Sequence, residues 1–316
     1  MMRKLKLAIL FLCSVCTAAR AGMVQDHMGH NVEIPDNLYR VVSLHDWTLT
    51  VMAHELGVPL AGSVGRLAPD GNYYIRGANE LFGLDFNHIA LASVHGKLDL
   101  ERIRSLKPDL ILGNVGDVAR LNENLSSIAP TLMLDPDQGR PPLDLYREFA
   151  GWLGRSERFE TLHDSYRQKT RAIRKQLANN GLTNASYVVV ILNSHDGTFS
   201  VYSDYGVLTT MFDDLGLQRL PITREIPSGN SNIILGAEML DALDADFIIT
   251  PYLKRRGESP DTFAQDLDRI APGAKNFLRA FDRGHVIAFP RNRVYPTSFT
   301  GLNEALDTFT HILKEN

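Results

Sequence analysis

Ser194-His195-Asp196 places the three residue types of a nucleophilic relay side by side. Adjacent side chains on a strand or turn diverge, so this run cannot form the hydrogen-bonded chain that activates a serine. Gly113-Asn-Val-Gly116 follows an apolar run, as phosphate-binding loops do, but lacks their Lys-Ser/Thr pair and third glycine. It reads as a turn at the carboxyl end of a strand. The ten histidines are scattered, with no His-Glu-x-x-His and no histidine-rich loop, so no resident metal or other cofactor is expected. His27 and His30, in a turn without a third ligand, are expected to face solvent. A secreted hydrolase would need a nucleophile with a spatially separate base, and the sequence offers neither, so the chain reads as a non-enzyme.

What remains is a set of aromatic, arginine and amide side chains concentrated in loops. After the first strand come His45, Asp46 and Trp47; then Arg66, followed by Tyr73, Tyr74 and Arg76, with Asn114 at a later strand end. The second half offers Tyr202, Asn230, Tyr252, Arg291, Arg293 and Tyr295. Each alone is an ordinary loop residue. Together they describe a partly apolar pocket with several permanent cations, suited to a large, oxygen-rich, anionic or polarised ligand.

The elements that must position this set are written in a repeat. Leu98 to Gly113 reads LDLERIRSLKPDLILG and Ile234 to Thr250 reads ILGAEMLDALDADFIIT. Aligned without a gap, Glu101 falls on Glu238, Leu106 on Leu243, Asp109 on Asp246 and Ile111 on Ile248. Each copy leads from an amphipathic turn into an apolar run short enough for a strand buried on both faces, as parallel sheets require. The repeat predicts two related α/β lobes, with the loops after Leu112 and Thr250 facing each other across a ligand. Arg40–Leu44 as strand and Leu56-Gly57-Val58 as helix end are echoed by Tyr187–Leu192, a helix near Val207–Asp214 and Leu215-Gly216-Leu217.

Residues 26–35 read as a hairpin with Gly29 at its turn. Between the lobes, Phe159, Leu162, Tyr166, Ile173 and Leu177 recur at helical spacing over Ser156–Asn179, with Ser156 as N-cap and Asn180-Gly181 as stop. That helix would run about 36 Å and hold the lobes nearly rigid. The expected organisation is a leader over 1–21, an N-terminal lobe over 22–150, a linker helix over 151–181 and a C-terminal lobe over 182–316. The fold class is α/β: two lobes with mainly parallel sheets, one long helix between them, and a ligand cleft where the carboxyl ends of the strands meet.

Arg3, Lys4 and Lys6, an apolar run from Leu7, and Ala19-Arg20-Ala21 read as a secretory signal, with cleavage expected between Ala21 and Gly22. Cys13 and Cys16, the two cysteines of the chain, both fall in it, so cysteine chemistry is excluded from the mature protein. Without the leader, Lys+Arg falls from 33 to 29 against 37 Asp+Glu, and the net charge moves from −4 to −8. Nucleic acid is an unsuitable partner for such a surface. No later segment has the apolar length of a membrane span, and the mature chain is expected to be a monomer in the periplasm.

The mature chain resembles the periplasmic binding proteins of ABC importers for iron siderophores, haem and vitamin B12. The phrase LDLERIRSLKPDLILG carries the resemblance, together with Ile34-Pro35, Val41-Val42-Ser43 and Leu56-Gly57-Val58-Pro59. Asn72-Tyr73 before Arg76, Glu123 before Pro130, and Arg283-Gly284 leading to Tyr295 resemble the ferric hydroxamate binders. The resemblance implies capture of a ferric siderophore, with Arg76 donating to hydroxamate oxygens around iron and Trp47, Tyr73, Tyr74 and Tyr295 covering its organic framework. It also implies docking on ABC importer permease subunits through Glu123 and Glu238. Asn230 and Arg293 stand near positions where the family carries tryptophan, and with Arg291 they point to a citrate-hydroxamate ligand with free carboxylates. Catecholate siderophores, haem, for which His45 or Tyr74 would be the axial ligand, and cobalamin remain alternatives.

Overall fold

The computed structural model describes residues 22–315. The expected signal and its cleavage point lie outside the described residues. A hairpin of β1 (Gly22–Gln25) and β2 (Asn31–Ile34) opens the fold. His27, expected in solvent, is instead packed 4.9 Å from Trp152, with Nε2 3.2 Å from Glu148. Its Nδ1 accepts from the Asp135 amide, so the turn is fastened to the lobe.

The N-terminal sheet comprises β3 (Val41–Ser43), β4 (Leu60–Leu67), β5 (Tyr73–Tyr74), β6 (Ala90–Val94), β7 (Leu110–Asn114) and β8 (Thr131–Leu134). Its order is β5-β4-β3-β7-β8 with β6 also on β4, and only the β4–β5 pair is antiparallel. The C-terminal sheet comprises β9 (Ser186–Asn193), β10 (Thr198–Tyr202), β11 (Gln218–Arg219), β12 (Asn232–Gly236), β13 (Phe247–Tyr252) and β14 (Val286–Pro290). There β11, β13 and β14 run parallel to β9, while β10 and β12 continue the sheet antiparallel.

The repeated phrase has one structural meaning in both lobes. Its apolar run becomes β7 in one and β13 in the other, each flanked on both sides by parallel strands. Leu110 and Leu112 face the core around the linker while Ile111 faces the outer layer, and Phe247, Ile249 and Ile248 divide likewise. The aligned acids do the same work. Asp109 accepts from the amides of Tyr39 and Arg40 as the chain enters β3, and Asp246 accepts from the amide and hydroxyl of Ser186 as it enters β9. The turns before the strands differ. Asp99 caps the helix Leu100–Ser105 through the Arg102 amide, whereas no side chain caps Ala237–Leu243, which winds as a 3-10 helix.

The linker helix spans Ser156–Asn179. Ser156 is its first helical residue rather than its cap, and Arg155 in the cap position makes no side-chain capping bond. Gly181, at φ +71°, ends it as expected, its amide bonding to Ala178. A second tie was not legible. The C-terminal helix Phe299–Glu315 lies along the linker, where Lys169 reaches the Asn303 carbonyl and Asp307. Its N-terminus is held by Glu55 of the opposite lobe, which accepts from the amides of Phe299 and Thr300. The central core, in which the Phe299 ring meets those of Tyr146, Phe159 and Tyr166, runs without a break from one lobe to the other.

Candidate ligand-binding cleft

Between the lobes lies a cleft of about 530 Å³. The first lobe lines it with residues that follow the carboxyl ends of β3, β7 and β8: His45, Trp47, Asn114, Asp117, Pro136 and Asp137. Asp204, Gly206, Ser231 and Tyr295 close it from the second lobe, and Arg76 enters from the segment after β5. It continues past Asp137, Pro142, Asp204 and Ser231 into a wider groove of about 830 Å³ against the linker helix.

The loop after β3 is rigid for a chemical reason. Thr50, in the helix Leu49–Glu55, hydrogen-bonds the hydroxyls of Ser43 and Ser63 and the His45 carbonyl, all in the interior. Buried hydroxyls satisfied in this way fix a backbone. Asp46, fully buried, takes Arg66 Nε at 3.0 Å and the Arg76 amide at 3.3 Å on one oxygen. Arg66 therefore anchors the wall from behind and does not line the cleft.

That anchoring presents Arg76 to the cleft. Its guanidinium lies over Trp47, with Cζ 3.2 Å from the ring centre, and Trp47 meets Tyr295 of the other lobe at 4.3 Å. Arg291 lies 5.3 Å and 5.4 Å from the same two rings, and Tyr205 and Tyr202 extend the aromatic run behind them. Burial, with Arg66 and Arg291 adding to it and Asp46 opposing, lowers the Arg76 guanidinium to about 10, so it stays charged at neutral pH. Trp47 Nε1, Arg76 Nε, Arg291 Nε and the Tyr205 hydroxyl are buried with no hydrogen-bond partner among the described residues. Unpaired buried donors are costly, and two of these four belong to residues that line the cleft, Trp47 and Arg76, where an oxygen-bearing ligand would meet them.

His45 is mostly buried at the cleft wall, and its Nδ1 accepts from the Thr48 amide at 3.1 Å. Burial, then Arg76, His95 and Arg66, bring its imidazole down to about 3, which keeps it neutral. Asp117 lies 3.8 Å from His45 and 3.9 Å from His95. Among the described residues no group of three or more His, Asp or Glu side chains is placed to hold a metal ion.

The structure gathers Trp47, Arg76, Asn114 and Tyr295 at the cleft and Asn230 at the adjoining groove, while Arg291 stands beside the Trp47 and Tyr295 rings without lining the cleft itself. Asn114 spends its carbonyl oxygen on the Gly116 amide. Others lie elsewhere. Tyr73 points outward, 45% exposed. Tyr74 is covered by Arg255 at 3.8 Å, so the loop after β13 meets β5 instead of the loop after Leu112. Tyr252 lies in the electrostatic reach of Glu80 and Arg293, outside the cleft lining. Arg293 pairs with Glu304 of the C-terminal helix at 2.5 Å and has no share in the cleft. Glu123 and Glu238 are exposed, on separate lobes, near the starts of short helical segments.

Asp117, Asp137 and Asp204 are cleft residues that sequence reading passed over. The available signal was positional, since they follow β7, β8 and β10 closely. Gly206 is also part of the design: at φ +55° it leaves room for the Tyr295 backbone, which a Cβ would strike.

Solved structures with this fold include SirA of Staphylococcus aureus complexed with staphyloferrin B, with a TM-score of 0.73 at 21% identity, covering 93% of this chain and 98% of that one. A FhuD-fold periplasmic binding protein component of a Fep/Fec-like ferrichrome ABC transporter from Bacillus subtilis gives 0.70 at 20% identity, covering 93% and 100%. The FhuD protein from S. pseudintermedius gives 0.70 at 16% identity, covering 92% and 97%. At such identities the likeness is one of fold. No curated protein matches the sequence. A family model described as periplasmic binding protein matches residues 64–292, which take in the linker helix, the whole second sheet and most of the first, and the chain belongs to that family.

Proposed function

We propose that this protein captures a ferric siderophore of hydroxamate type in the periplasm and delivers it to the permease of an ABC importer. The observation that carries the reading is the Arg76–Trp47–Tyr295 wall, where cationic and indole donors without protein partners stand on aromatic faces. A siderophore that fills every site on Fe(III) asks the protein for no metal ligand. It asks for donors aimed at outward oxygens and for flat apolar surface against its framework. The fold neighbours named for ferrichrome transport and staphyloferrin B support the class.

Charge favours hydroxamate over catecholate. A ferric tris-catecholate is triply anionic, a ferric tris-hydroxamate is neutral, and three aspartates line this cleft beside Arg76. A citrate-hydroxamate with free carboxylates loses support for the same reason, since Arg66 and Arg293 are already paired with Asp46 and Glu304. The continuous core and the Glu55 tie support capture between lobes that move little.

Tryptophan fluorescence tests the reading, because Trp47 is one of only two tryptophans in the chain and lines the cleft. Titration with ferrichrome should quench it at micromolar concentration or below, and ferric enterobactin, haem and cobalamin should act more weakly. No response to any ferric hydroxamate would overturn the proposal.

A further inference from the structure

The charges of the cleft are sorted by position. Among the described residues Arg76 and Arg291 have no salt bridge to a carboxylate, and Arg76 stacks on Trp47 while Arg291 lies beside the Trp47 and Tyr295 rings. Where the cleft opens into the wider groove, Asp137 from the first lobe and Asp204 from the second share the lining; both are exposed, Asp204 accepts from the Thr209 hydroxyl at 3.3 Å, and neither has a cationic partner among the described residues. Tyr295 marks the boundary: its hydroxyl is pushed up chiefly by burial, and it feels Arg291 and Arg76 as well as Asp204 and Asp137. Burial and the carboxylates of Asp135, Asp117 and Asp204 push the Asp137 carboxyl up as well. In the groove beyond, each arginine is already taken, Arg140 by Glu148, Arg147 by Glu160 and Arg219 by Asp213. The ligand space itself is marked independently by Trp47, which is 6% exposed, lines this cleft and has no acceptor for its Nε1.

We infer that Asp137 and Asp204 select, among ferric hydroxamates, those that carry a free ammonium group, receiving it between the lobes while the iron centre rests at Arg76 and Trp47. The inference rests on the hydroxamate reading and narrows it. Two unpaired carboxylates facing one space repel each other and any carboxylate-bearing ligand, and an ammonium placed between them relieves both effects. Because one carboxylate comes from each lobe, the same cation would bridge them.

Ferrioxamine B and its N-acetyl derivative differ in the ammonium, which the second lacks, and bind iron through the same hydroxamates. Wild-type protein should bind ferrioxamine B at least about fivefold more tightly than the acetylated ligand, the range two partly exposed ion pairs supply, with the gap shrinking as salt rises. In D137N/D204N the ratio of the two affinities should fall toward one, whatever happens to the absolute affinity for either ligand. Equal binding by the wild type would overturn the inference and leave the hydroxamate reading standing. A gap that persists in the double variant would overturn it too, by assigning the preference to the shape of the acetyl group. Failure to bind either of these ligands or ferrichrome would remove both readings.

Discussion

The Arg76 guanidinium lies on the Trp47 indole, 3.2 Å from the ring centre, and makes no ion pair with the buried Asp46 beside it. Asp46 instead holds the Arg76 backbone amide and Arg66 Nε. The cation is thus oriented by an aromatic face, which contributes about 2 kcal/mol when desolvated and leaves its hydrogen-bonding edge free. Arg76→Ala should weaken ferrichrome binding about 10- to 100-fold and, with the stacking on Trp47 lost, lower the melting temperature by about 5 °C or less. Arg76→Lys keeps the charge and loses the planar fork, and should recover only part of the loss. Fluorescence titration reads both, and wild-type affinity in Arg76→Ala would place the principal donor elsewhere.

Glu55 should matter for stability and not for affinity. Its carboxylate is buried and accepts from the Phe299 amide at 2.9 Å, the Thr300 amide and hydroxyl at 2.7 Å each, and the Tyr146 hydroxyl at 2.9 Å. Glu55→Ala strands the first amides of the C-terminal helix in the interior, at a cost of about 2–4 kcal/mol. A chain of this length should then melt about 5–10 °C lower. Hydrogen exchange in Phe299–Leu302 should speed up in the variant, and unchanged protection there would mean the cap carries little of the lobe contact.

His45 predicts part of the acid sensitivity. Its folded value of about 3 lies far below the ordinary imidazole value of 6.5. The unfolded chain therefore binds the proton first, so stability is retained above about pH 6.5 and lost progressively as pH falls toward 3. Between pH 7 and pH 5 the loss from this group amounts to about 2 kcal/mol. Urea titrations at the two pH values should show a smaller difference in His45→Gln than in the wild type. An imidazole resonance of His45 titrating near pH 6.5 in the folded protein would contradict the assignment.

The fold was legible because its signals are local, and the site was legible only in part because its signals are not. The repeated phrase announced β7 and β13, and the aligned Asp109 and Asp246 prove to hold equivalent strand entries. Trp47 and Tyr295 could be nominated from loop position. Nothing along the chain shows that Arg66 belongs to Asp46 or Arg293 to Glu304, since a guanidinium is claimed by whichever carboxylate the packing delivers. Glu55, six residues beyond Leu49 in an apolar helix, gives no hint that it holds a helix starting more than two hundred residues later. Asp137 and Asp204 read as loop acids until the two lobes bring them to one cleft.

On the proposed function, Glu123 and Glu238 would serve delivery to the permease and not capture of the ligand. Both are exposed, one on each lobe, away from the residues that line the cleft, and Glu238 is flanked by the exposed side chains of Ile234 and Met239. An exposed acid with apolar neighbours and no ion-pair partner among the described residues is suited to a cationic pocket on another protein. Glu123→Ala and Glu238→Ala should each leave ferrichrome affinity and melting temperature within experimental error of the wild type, because neither residue touches ligand or core. Siderophore uptake through the reconstituted importer should fall severalfold in each single variant and further in the double, since each lobe would contribute one contact to the same docked state. Charge reversal to lysine should reduce uptake more than alanine does, through repulsion as well as loss. Full uptake by the double alanine variant would move the docking surface away from these two glutamates, whereas weakened binding in solution would return them to the cleft.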